Sequence, residues 1–201
     1  MQTQPKDNNK DAKPDATQKA TQNPMDIEEA FDVLDRVIGF INSCDNKTSI
    51  ALGIAAAILT IIFSSDGVEN ITAKASAIMF PPSGSTITIG EVAYLVILLL
   101  SVILIAAGLV SLVLTLTARI GSAGNSVIYF EHIAKLKDAK TYVEHVASVS
   151  KDELIEDILT QTYINSDICS EKYRHYNRGL KLTAIGFVAL IAVMAISTFG
   201  R

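Results

Sequence analysis

The chain holds 201 residues with a formal net charge of −4 and an ordinary 49% of hydrophobic residues. This acidic balance does not suit the concentrated basic face of a nucleic-acid binder, so no nucleic acid is expected as a partner. Three stretches carry no charged residue, Thr48 to Ser65, Val92 to Ala118 and Leu182 to Gly200, and they argue against a soluble enzyme because a soluble helix needs only one apolar stripe.

Residues 1–24 are polar and punctuated by Pro, bury too little apolar area to offset chain entropy, and are expected to form a disordered tail. Over 25–47, Ile27, Ala30, Phe31, Leu34, Val37, Ile38 and Ile41 recur at three- and four-residue intervals, which predicts an amphipathic helix leading into a first membrane span at 48–65. Asp26, Glu28 and Glu29 stand at its start, where the positive end of the helix dipole favours them. The span follows an acidic segment rather than a basic leader, so it is expected to stay in the mature protein. Residues 66–91 carry Gly67, Pro81, Pro82, Gly84 and Gly90 and read as a loop. The second span, 92–118, is about 40 Å long as a helix against about 30 Å of hydrocarbon, so it should tilt or project.

Residues 119–181 form the one polar stretch long enough for a module outside the membrane. GSAGN (121–125) reads as a flexible exit, followed by short helices at SVIYFEHIAKL and DAKTYVEHVASV. Ser150 and Glu153 have capping-box spacing. Beyond them Leu154, Ile155, Ile158, Leu159, Thr162, Tyr163, Ile168, Cys169, Tyr173 and Tyr176 keep a helical stripe toward the third span at 182–200. Gly179 marks either a bend or a tolerated position in one continuous helix. No strand alternation of useful length occurs, so the expected fold is an all-α membrane protein: three transmembrane helices with a helical cytoplasmic module.

Orientation follows from the cations. Six Lys and Arg precede the first span, Lys74 alone lies between the first two, nine lie in 118–181, and Arg201 follows the third. Arg36, Lys47, Arg119, Arg174, Arg178 and Lys181 lie near span ends. The positive-inside pattern therefore places the amino terminus and the 119–181 module in the cytoplasm and the carboxyl end in the periplasm of a bacterial inner membrane. Cys44 and Cys169 both fall on the reducing side, so no disulfide is expected.

No glycine-rich phosphate loop, nucleophile elbow or zinc-type Cys and His spacing is present. His132, His145 and His175 are scattered, and a lone His on an amphipathic helix is more often an interface residue than a catalyst. No enzymatic activity, catalytic residue, cofactor or metal is expected. Asp45 and Lys47 stand at the mouth of the first span; they are either a solvated pair at the water boundary or a polar ring that couples the cytoplasmic helices to the membrane helices. The tract 161–179 offers Gln161, Asn165, Lys172, Arg174 and Arg178 for a phosphate and base, with Tyr173 among the tyrosines for stacking. Its plainer reading is a juxtamembrane basic helix drawn to anionic lipid. Small residues, Ala51 with Ala55, Gly53 with Ala57, and Gly186, Ala189, Ala192 and Ala195, permit close helix approach within one chain or in a homo-oligomer.

The motif D-x-K-x-S entering the first span (Asp45, Lys47, Ser49), the pair Tyr129 and Phe130 with Ile133 and Ala134, Tyr142, and KDELIEDILTQTYINSDICSEKY before the last span form a familiar set. Together they resemble the transmembrane effectors of the bacterial Pycsar antiphage systems, over about residues 25–200. The resemblance implies a defence effector that senses a cyclic pyrimidine mononucleotide, cCMP or cUMP, made by a partner cyclase. It would then impair the inner membrane and cause abortive infection. The competing readings are a constitutive membrane scaffold and a holin-like pore that needs no nucleotide.

Overall fold

The computed structural model describes residues 25–83, 86–117 and 126–199. The tail at 1–24, Gly84, Arg119, the GSAGN exit and Arg201 lie outside the described residues. Among these residues six helices follow in order: α1 Ile27–Phe63, α2 Asp66–Met79, α3 Ile89–Leu116, α4 Phe130–Lys135, α5 Ala139–Ser148 and α6 Lys151–Phe199. Among the described residues there is no strand. The fold is all-α, and α1, α3 and α6 are long and apolar enough to cross a membrane.

Each long helix starts on a cap that its sequence supplies. Asp26 accepts from the Glu29 amide at 2.8 Å while Glu29 accepts from the Asp26 amide at 3.1 Å; Thr88 and Glu91 repeat the exchange before α3. Ser150 donates its amide to Glu153 at 2.7 Å and accepts from the Glu153 amide at 3.3 Å. These reciprocal bonds satisfy amides that have no partner within the helix.

The amphipathic segment and the first span form one uninterrupted helix, α1, and α6 is likewise unbroken for 49 residues with Gly179 inside it. The connection after α1, expected to be a loop, is helical over Asp66–Met79. Its Gly67 falls in the first turn, and Pro81 and Pro82 lie beyond the last. The breakers thus bracket a helix rather than interrupt it. α2 buries Ile71 and Ile78. Its Lys74 donates to the Ile196 carbonyl at 3.2 Å and stands 5.4 Å over the Tyr94 ring, placing a cation at the carbonyl end of α6.

α6 is the central element. One apolar cluster joins Ala55 and Ile62 of α1, Tyr94 and Ile105 of α3, and Phe187, Leu190 and Val193 of α6. A second, outside the apolar runs, joins Ala30 and Leu34 to Ile155 and Ile158. α1 and α6 therefore run parallel, early residue to early residue, and α3 runs antiparallel to both. Outward faces of the spans stay apolar, with Ile61, Leu99 and Val188 all exposed. A surface that is greasy where a soluble bundle would be charged is suited to lipid as its solvent.

The α3–α6 contact depends on glycine. A Cβ on Gly108 would fall 2.6 Å from the Thr183 amide nitrogen and 2.9 Å from the Gly179 carbonyl oxygen. One on Gly179 would fall 2.9 Å from the Gly108 oxygen. Gly186 repeats the approach further along α6, where a Cβ would fall 2.9 Å from the Ile105 amide nitrogen; glycines let the backbones come this close.

Candidate functional site

Where the apolar part of α6 gives way to its polar part, Lys172 is turned inward. Its ammonium donates to Asp45 Oδ1 on α1 at 2.7 Å and to the Thr115 carbonyl on α3 at 2.8 Å. Its side chain is only 6% exposed, and that of Asp45 is 34% exposed. Thr115 is the penultimate residue of α3, so Lys172 occupies a carbonyl that lacks an intrahelical donor. One turn further on, Ser111 donates to the His175 carbonyl of α6 at 2.9 Å. One cation thus ties all three long helices together at the edge of the apolar zone, and its desolvation is offset by a carboxylate and a carbonyl.

The six ligand candidates on α6 are not gathered into one site. At roughly 100° per residue, Gln161, Asn165 and Lys172 share one face and Arg174 and Arg178 turn away from it. Gln161 is 3% exposed with its amide nitrogen buried and unpartnered. Asn165 donates back to the Gln161 carbonyl at 2.8 Å. Tyr173 is half-buried, with the Lys47 ammonium 5.8 Å from its ring centroid. Arg174 pairs with Glu171 one turn earlier, and Arg178 is exposed. Tyr163, expected in the apolar stripe, is 77% exposed. The buried line runs through Ile155, Ile158, Gln161, Lys172, Gly179 and Thr183 instead.

Of the two boundary candidates, Asp45 lies in the Lys172 contact and Lys47 faces outward beside Tyr173. Cys169 lies one turn before Lys172. Burial pushes its thiol above the ordinary value, and the nearby ammonium opposes this more weakly. Cys44 and Cys169 are free thiols.

A second polar knot holds the module to α6. Asp157 accepts from the Ser126 hydroxyl and the Val127 amide, both at 2.9 Å. The Ser126 oxygen in turn accepts from the Ile128 and Tyr129 amides at 3.2 and 2.9 Å. The Ser126 amide donates to His132 Nδ1 at 2.9 Å, and the Tyr142 hydroxyl donates to the Val127 carbonyl at 3.0 Å. Sequence reasoning misses Asp157 because its partners are about thirty residues earlier, in no regular element. Its one visible signal is an acid beside the apolar pair Ile158 and Leu159.

Comparison with known proteins fits this architecture. The family described as Pycsar effector protein domain matches residues 29–199. The chain belongs to the Pycsar transmembrane effector family. It is 29% identical over 184 residues to the Pycsar effector protein GmPycTM of Gulbenkiania mobilis, covering 86% of this chain and 93% of that one. No solved structure matches. Membership makes the protein an antiphage defence effector of the membrane, and the matched segment takes in the Lys172 contact and the Asp157 knot whole.

Proposed function

We propose that this effector responds to a cyclic pyrimidine mononucleotide, cCMP or cUMP, supplied by a partner cyclase, and then impairs the bacterial inner membrane so that infection is abortive. The protein itself carries out no catalysis. Its amino terminus and the module built by α4, α5 and the first halves of α1 and α6 face the cytoplasm, its carboxyl end faces the periplasm, and the active form is a homo-oligomer.

The observation that carries this reading is continuity. α1 and α6 pass from the module into the apolar zone without a break, and Lys172 joins both to α3 at the crossing. A nucleotide that prefers one packing of the module can bias the spans by its difference in affinity between the two packings. A scaffold needs neither continuous helices nor a buried charge at the boundary. The test combines calorimetric titration of the detergent-solubilised chain with cCMP, cUMP and cAMP and dye release from liposomes holding the protein. The expected result is binding of one pyrimidine nucleotide and nucleotide-dependent release. Release without nucleotide would favour a holin-like pore, and neither binding nor release would favour a scaffold.

A further inference from the structure

Between α1 and α6, just on the apolar side of the Lys172 contact, lies a groove of about 400 Å³. Its walls include Ala51, Ala55, Ala184 and Phe187, and its rim carries Lys47 and Tyr176. The small alanines recess the seam, and Leu112 of α3 also lines it. Apart from Lys47 and the hydroxyls of Tyr176 and Thr183, the lining side chains are apolar.

Lys47 decides what fits. It is exposed, its ammonium stands 5.8 Å from the Tyr173 ring centroid, and among the described residues no carboxylate pairs with it. The charge-free part of a span from a second copy offers it no counter-charge, because none of the three runs contains an acid. Burying the ammonium against such a span would leave an unpaired charge in a protein interface. A lipid supplies both missing parts in one molecule: an acyl chain for the recess and a phosphate for the rim, at the depth where headgroups lie.

We infer that this groove is a specific seat for one anionic phospholipid, with its acyl chain along Ala51, Ala55 and Ala184 and its phosphate on Lys47. The inference needs only the membrane-spanning fold and does not depend on the nucleotide response.

The test is native mass spectrometry of the full chain in detergent, titrated with phosphatidylglycerol or phosphatidylcholine of identical acyl chains. Wild type should retain one phosphatidylglycerol in preference to phosphatidylcholine. Lys47→Gln should weaken phosphatidylglycerol binding about fivefold, which corresponds to about 1 kcal/mol for one cation near a lipid surface. Lys181→Gln removes an exposed cation outside the groove and should leave that affinity nearly unchanged. Ala184→Phe, which fills the recess, should lower binding of both lipids. Equal binding of the two lipids by wild type would overturn the proposal without any variant. So would equal losses from Lys47→Gln and Lys181→Gln, which would mean diffuse attraction to the surface. Disulfide-linked dimers of Ala184→Cys that form whichever lipid is present would assign the groove to a second copy.

Discussion

Lys172 and Asp45 meet at 2.7 Å although 127 residues separate them, and they are unequally exposed to water. Removing one is therefore not equivalent to removing the other. Asp45→Asn leaves a buried ammonium with two neutral acceptors, the Thr115 carbonyl and the new amide oxygen, but no counter-charge, and should cost about 3 kcal/mol, near the lower end for a broken buried pair. Lys172→Met removes the buried charge and leaves a carboxylate that water can reach, so it should cost less than half as much. The double variant should resemble Lys172→Met. Unfolding midpoints in a detergent series measure all three; equal losses for the two single variants would contradict this account of the contact.

The glycine pair makes a sharper steric forecast. Gly108→Ala and Gly179→Ala each place a methyl group against opposing backbone, and should destabilise by about 1–3 kcal/mol as overpacked sites do. Gly53 on α1 has nothing within 4 Å of the place an added methyl would take, so Gly53→Ala should leave the melting temperature unchanged or raised. A loss at Gly53 matching that at Gly108 would mean helix flexibility, not close approach, is what these glycines provide.

Asp157→Ala should free residues 126–129 from α6. Two hydrogen bonds to one carboxylate oxygen disappear, and the local cost is about 1–3 kcal/mol because the groups they satisfied are part-buried. Hydrogen exchange should rise across 126–148 and stay unchanged in peptides of the three spans. Uniform acceleration would show that the module and spans unfold as one unit.

The start of α6 should respond to acid. The Glu153 carboxyl lies below its ordinary 4.5, first because the Ser150 amide donates to it and second because of the Ser150 hydroxyl. A depressed carboxyl stabilises the folded state above the unfolded-state value and loses that contribution as pH falls through its own lower value. Amide exchange at 150–154 should therefore quicken relative to the rest of α6 as pH falls below about 4.5. Glu153→Gln should remove that dependence on pH.

The spans are legible in the sequence because charge is costly in hydrocarbon, and a run without charge needs no knowledge of its neighbours. The cap at Ser150 is legible for a similar reason, since both partners lie within one turn, whereas Asp26 and Glu29 read only as acids at a helix start and the structure adds their reciprocal cap. α2 is hidden when Gly and Pro are weighed by number, since it is their position at the edges of Asp66–Met79 that matters. Lys172 reads as a ligand group from its chemistry alone. Its register, eleven residues after Gln161 and seven before Gly179, places it on the buried line of α6. The partner that makes such burial tolerable is on another helix, and local spacing carries no information about it.

The glycine contact and the groove together give the bundle two unlike sides. α3 is fitted to α6 backbone against backbone, so sliding there would force atoms into one another. α1 meets α6 with cavities at two heights, the lower one beside Ala51 and Ala184 and another of about 440 Å³ near Ile62 and Met194. A displacement along the α1–α6 seam would therefore meet looser packing than one along the α3–α6 seam, where backbone already stands against backbone.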